Sequence, residues 1–111
     1  MIEIAEELFN SSKIILPNKV TVADYIDSNY STIKNIDSVC SSDKIFDINL
    51  SSNMSEILKS SKTILWNGPI GVFEKEPFQR GTHQLAKTIA NSEAFSLAGG
   101  GETIAAINKF I

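Results

Sequence analysis

Two glycine-bearing segments carry the residue types from which a phosphate site can be built. The first is Ala98-Gly99-Gly100-Gly101-Glu102-Thr103, which joins an apolar run, Ala94 to Ala98, to the helical stripe of Ile104, Ile107 and Ile111. Glycine lets backbone approach a phosphate with no Cβ in the way. A helix starting there offers unpaired N–H groups and a partial positive charge, and Thr103 adds a hydroxyl donor. Glu102 repels phosphate unless a cation lies between them. Mg²⁺ suits that place, because it takes oxygen ligands and shares carboxylate with phosphate. The same residues also serve as a tight turn with an acid that complements the helix dipole, and three glycines alone do not choose between the two readings.

The second segment is Trp66-Asn67-Gly68-Pro69-Ile70-Gly71-Val72-Phe73-Glu74. Asn67 can donate its amide to a phosphate oxygen. Pro69, Val72 and Phe73 offer an apolar face for a base, and Glu74 can accept from ribose hydroxyls, as an acid does in dinucleotide folds. The plainer alternative is a Gly-Pro turn followed by a solvated glutamate. Trp66 reads as core, by the burial habit of its type. His83, between Arg80 and Lys87, reads as part of a solvated helix face. There is no Ser-His-Asp set, no Cys-His pair and no metal-ligating cysteine spacing.

The elements that must position these loops alternate. Ile4, Ala5 and Leu8 predict a short helix over Ile2–Phe9. Ile14-Ile15-Leu16 and the alternating Val20 and Val22 predict a β-rich stretch broken by Pro17. Asp27 to Ser42 has no clean period and reads as loop with room for a short strand. Asn53 and Glu56 have capping-box spacing ahead of Met54, Ile57 and Leu58, which predicts a helix ending near Ser60. Thr63–Trp66 and Ala94–Ala98 read as strands buried on both faces. Between them Pro77 suits the first turn of a helix with Phe78, Leu85, Ala86 and Ile89 inward. Strand and helix in alternation predict an α/β fold, with a parallel sheet whose strand ends carry the two loops.

Composition narrows the function. With 111 residues, 42% apolar and 21% charged, the chain can bury a core and is no disordered tail. A net charge of -3 with both signs interspersed argues against nucleic acid or an anionic membrane as partner. No run approaches the ~20 apolar residues of a membrane span. A single cysteine, Cys40, excludes an internal disulfide and fits a reducing compartment, so a cytoplasmic setting is expected.

The nonapeptide Trp66 to Glu74 resembles the W-N-G-P-x-G-V-F-E signature of phosphoglycerate kinases. Phe78 and Arg80-Gly81-Thr82 are similar to that family's following helix start. Gly99 to Thr103 resembles its G-G-G-D phosphate loop, closed by Ser or Thr. Leu16-Pro17 through Val22-Ala23-Asp24 resembles its L-P-x-D-x-x-V-A strand. The resemblance implies part of a doubly wound, Rossmann-like parallel sheet with helices on both faces. Residues 1–111 would then be part of the carboxy-terminal, nucleotide-binding domain, with the amino-terminal substrate domain absent.

The activity implied is transfer of a phosphoryl group between 1,3-bisphosphoglycerate and ADP, giving 3-phosphoglycerate and ATP, with Mg²⁺. By position, Glu74 would bind ribose. Gly99, Gly100, Gly101, Glu102 and Thr103 would hold the phosphates and, through Glu102, the metal. Asn67 would lie near the phosphates, and Pro69 and Val72 would flank the nucleotide. Glu102 stands where the family commonly has Asp, one methylene shorter. Lys19 stands at an Asp position, and Asp47-Ile48-Asn49-Leu50 departs from D-I-G-P, so the turn there is expected to differ. The glycerate ligands would bind only with the missing domain. Three readings stay open: a kinase part inactive alone, a stand-alone nucleotide-binding module, and an inert remnant.

Overall fold

The apolar spacing of the first residues yields a helix, α1 (Ile2–Asn10), in a computed structural model that describes all 111 residues. No residue of α1 is buried. Its apolar side meets Ile14 and Leu16 across an open groove of about 570 Å³. The β-rich reading of residues 14–22 is correct only in its second half. Ile14, Ile15 and Leu16 pair with nothing and are exposed, and strand β1 (Lys19–Ala23) starts two residues after Pro17, which has no N–H to give a ladder.

β1 is the centre of a three-stranded sheet, with Val20, Thr21 and Val22 all buried. β2 (Thr32–Asn35) and β3 (Lys44–Ile48) flank it, both antiparallel. The loop read over residues 27–42 therefore contains a strand. Its partner supplies the ordering, since β2 pairs with β1 over four residues, Lys19↔Asn35 to Val22↔Thr32. Lys34 on β2 also forms an ion pair with Asp43, at 2.8 Å, just ahead of β3.

α2 (Ser52–Ser60) ends where its stripe predicts, but its cap is Ser51 and not the Asn53–Glu56 box. Ser51 has the extended backbone a cap requires, and its hydroxyl accepts from Met54 N at 3.2 Å. Asn53 falls inside the first turn. Pro77 likewise lies just before a helix, in a 3-10 turn (Glu76–Phe78), while α3 itself runs Arg80–Ala90 with Leu85, Ala86 and Ile89 inward as its spacing predicts.

β4 (Thr63–Trp66) and β5 (Phe95–Ala98) pair in parallel, Thr63 opposite Phe95 and Trp66 opposite Ala98. Ile64 and Trp66 pack with Phe73, Leu85, Ala86, Ile89 and Ala106 into one core. Burial of these strands on both faces is not found. Leu65, Phe95 and Leu97, 73%, 65% and 52% exposed, lie on the other face, over which these residues lay no helix. The result is an α/β fold with a parallel pair, its helices on one face, and an antiparallel sheet beside it. α4 (Gly101–Phe110) completes the chain. Thr103, Ala106, Ile107 and Phe110 form its inward face, while Ile104 and Ile111 are exposed. Of the predicted stripe Ile107 faces inward, and Thr103, Ala106 and Phe110 each lie one residue before a predicted position.

Candidate nucleotide-binding site

Parallel strands β4 and β5 end side by side, so the loops that leave them meet. Gly99 N bonds to Trp66 O at 3.0 Å, which extends the ladder one step past the strands. Gly100 then takes φ 93°, a conformation L side chains rarely adopt. The chain turns there directly into α4. The first amide of α4 bonded back is Ile104 N, to Gly100 O at 3.1 Å, and no side chain caps the helix. The N–H groups of Gly101, Glu102 and Thr103 are those the helix leaves without an internal acceptor.

The loop after β4 is fixed to this helix start by one bond. Gly68 N donates to Thr103 Oγ1 at 2.8 Å, across 35 residues, and Thr103 is 1% exposed. The Trp66 indole N–H donates to Gly68 O at 2.7 Å, so both backbone polar groups of Gly68 are held. Asn67 lies against the glycine turn: a Cβ added to Gly99 or Gly100 would meet its Oδ1 at 3.8 and 3.7 Å. Asn67, Gly99, Gly100 and Thr103 are thus brought together. Glu102 is exposed in the first turn of α4 and pairs with no cation of the chain.

Pro69 and Val72 line a second feature, a groove of about 300 Å³ opposite Ile45, Phe46 and Ile48 of β3. Val72 N bonds to Phe46 O at 2.9 Å, which holds the loop along that strand. These β3 residues were not among the site residues read from sequence. Their only local signal is alternation of apolar residues with Asp47, and nothing in it says which loop will lie opposite.

Glu74 stands elsewhere. It lines a polar groove of about 530 Å³ with Asp27, Ser28, Lys75 and Glu76, closed on one side by a Lys75–Asp27 pair at 2.9 Å. That groove shares no lining residue with the one between Pro69, Val72 and β3.

Two carboxyls here are perturbed, in opposite directions. Asp47 is 1% exposed; burial pushes its carboxyl up, against the pull of the Gly81 and Ile48 N–H groups and the Arg80 charge. Asp43 is held below the ordinary carboxylate range by the Cys40 N–H and then by Lys34. His83 is exposed, as expected of a helix face, and its ring stacks on Phe110 with centroids 4.9 Å apart. Cys40 is exposed and unpaired with any other cysteine. No group of three or more His, Cys, Asp or Glu side chains stands ready to hold a metal ion.

A family model described as phosphoglycerate kinase matches residues 1–111. The chain belongs to the phosphoglycerate kinase family. A phosphoglycerate kinase of Psychrobacter cryohalolentis is 40% identical over 123 residues, an alignment that covers 99% of this chain and 31% of that protein. The solved structure of phosphoglycerate kinase from Coxiella burnetii superposes with a TM-score of 0.86 at 41% identity, covering 97% of this chain and 30% of that one. The chain therefore spans about three tenths of the length of these phosphoglycerate kinases.

Proposed function

We propose that these 111 residues are the nucleotide-binding part of a phosphoglycerate kinase, the part that holds Mg–ADP or Mg–ATP while a phosphoryl group passes between 1,3-bisphosphoglycerate and ADP. The supporting observation is the Gly68–Thr103 bond, which joins two loops of phosphate-binding composition at the ends of adjacent parallel strands. In this reading residues 1–111 belong to the carboxy-terminal domain. The glycerate ligand would bind only with the portion of a phosphoglycerate kinase that this chain does not span. Family membership supports a cytoplasmic setting, with neither nucleic acid nor membrane as partner.

The free N–H groups of Gly101, Glu102 and Thr103 would take phosphate oxygens, with the Asn67 amide beside them. The Thr103 hydroxyl, already accepting from Gly68, keeps its proton to donate. Pro69 and Val72, with Ile45 and Phe46 opposite, would sandwich the base, and Glu74, which lines the other groove but lies only two residues beyond Val72, would accept from the ribose. Glu102 fits Mg²⁺, because it is an exposed carboxylate unpaired with any lysine or arginine, next to amides that favour anions. When bound, the metal neutralises charge on the phosphates. The chain's own residues orient the nucleotide and shield it from water, which is most of what phosphoryl transfer asks of a protein.

Titration of the chain with MgADP tests this reading. Saturable binding is expected, weakened by about 1–3 kcal/mol in Glu74→Ala through loss of charged hydrogen bonds to ribose. A chain that bound no nucleotide would be left with the inert-remnant reading. Unchanged affinity in the variant would return Glu74 to a solvated surface role.

A further inference from the structure

Thr82 has a fully buried side chain, at 0% exposure, in the first turn of α3. Its hydroxyl oxygen accepts two successive loop amides, Ile70 N and Gly71 N, each at 3.3 Å. One residue earlier, Gly81 N donates to the buried Asp47 of β3 at 2.8 Å. The start of α3 therefore grips the Pro69–Val72 loop with one residue and strand β3 with the next. Those are the two walls of the 300 Å³ groove.

The junction has no slack. A Cβ on Gly71 would collide with Asp47 Oδ1 and fall 2.8 Å from Phe78 O. The loop cannot move towards β3 without collision, and the hydroxyl of Thr82 keeps it from moving away. We propose that Thr82 is a positioning residue for this groove: its hydroxyl fixes the distance between the loop and β3, and thereby the fit of a flat apolar ring, without touching the ligand. The role of the groove as a base site rests on the nucleotide reading above; the anchoring of the loop does not.

Two variants separate the hydroxyl from mere packing. Thr82→Val keeps shape and volume but removes the acceptor, and Thr82→Ser keeps the acceptor but removes the methyl. On the 111-residue chain, amide exchange at Ile70 and Gly71 is expected to quicken by about tenfold or more in Thr82→Val, since two half-buried donors lose their partner, and to return to the wild-type rate in Thr82→Ser. Leu85 and Ala86, deeper in α3, are expected to keep their rates. ADP affinity is expected to fall by about tenfold in Thr82→Val, while affinity for inorganic tripolyphosphate, which has no base, stays within about twofold.

Unchanged exchange at Ile70 and Gly71 in Thr82→Val overturns the proposal. So does a Thr82→Ser chain that behaves like Thr82→Val, because packing and not the hydroxyl is then responsible. Parallel losses for ADP and tripolyphosphate overturn the link to the base. If the wild-type chain binds neither probe the nucleotide reading fails, and the exchange rates alone then decide for or against Thr82 as the anchor of the loop.

Discussion

Glu102 places a carboxylate beside amides that would receive phosphate, and only a bridging cation makes that arrangement favourable. Glu102→Gln is therefore expected to weaken MgADP binding while leaving metal-free ADP unchanged or slightly tighter, by relief of repulsion of order 1 kcal/mol at a wet surface. Glu102→Asp is expected to retain the metal effect. Titrations with and without Mg²⁺ on all three chains check this, and equal losses under both conditions would make Glu102 a helix-dipole charge only. Asp47 gives a prediction in pH. Its carboxyl is raised by burial, so between the ordinary carboxylate pKa and its own higher folded value the folded state holds more protons than the unfolded one. Its contribution to stability is complete below that window and is lost as pH rises through it. Asp43, held low by the Cys40 N–H and Lys34, acts the other way: its contribution is present above the ordinary value and lost as pH falls through the folded one. Urea midpoints measured against pH are expected to decline less on the alkaline side of the window in Asp47→Asn than in the wild type. Parallel curves would remove Asp47 as the cause.

Between elements, the seam of β4, β5 and α4 depends on Thr103. Thr103→Val leaves the half-buried Gly68 N–H without its acceptor and is expected to cost about 1–3 kcal/mol in urea denaturation. A cost near zero would mean that the loop finds another partner. The elements meeting at this seam were readable because their signals are local. The stripes of α2 and α3 and the run of β4 are properties of neighbouring residues, and so is the glycine turn ahead of α4. Asn67 and Thr103 could be named as candidate site residues for the same reason. No local signal fixes the position of β2, because Thr32–Asn35 has no period of its own and takes order from β1. Nothing local marks Ile45 and Phe46, because what sets them opposite the loop is Val72 N reaching Phe46 O, a pairing no local pattern encodes. Ser51 displaced Asn53 as the cap because backbone geometry, more than side-chain spacing, decides which residue can accept.

At the scale of the molecule, the face of β4 and β5 turned from the core presents Leu65, Phe95 and Leu97 to solvent, and α1 adds Ile4, Leu8 and Phe9 elsewhere on the surface. Exposed apolar area of that kind favours association, and a two-stranded sheet leaves strand edges open to pairing. The chain is expected to self-associate as its concentration rises, and Leu65→Lys is expected to reduce this without lowering stability, since Leu65 contributes little to the core. Sedimentation velocity across a concentration series checks both. A wild-type chain that stays monomeric throughout would show that the face tolerates water.

The chain has one tryptophan, and its indole N–H is tied to Gly68 O, whose own N–H is tied to Thr103. The protein thus carries a single tryptophan reporter, wired to the point where its two glycine-bearing loops join. A ligand that tightens or loosens this joint will alter the colour and yield of its emission with no dye attached, and a ligand held at a distant surface has no such route to the indole.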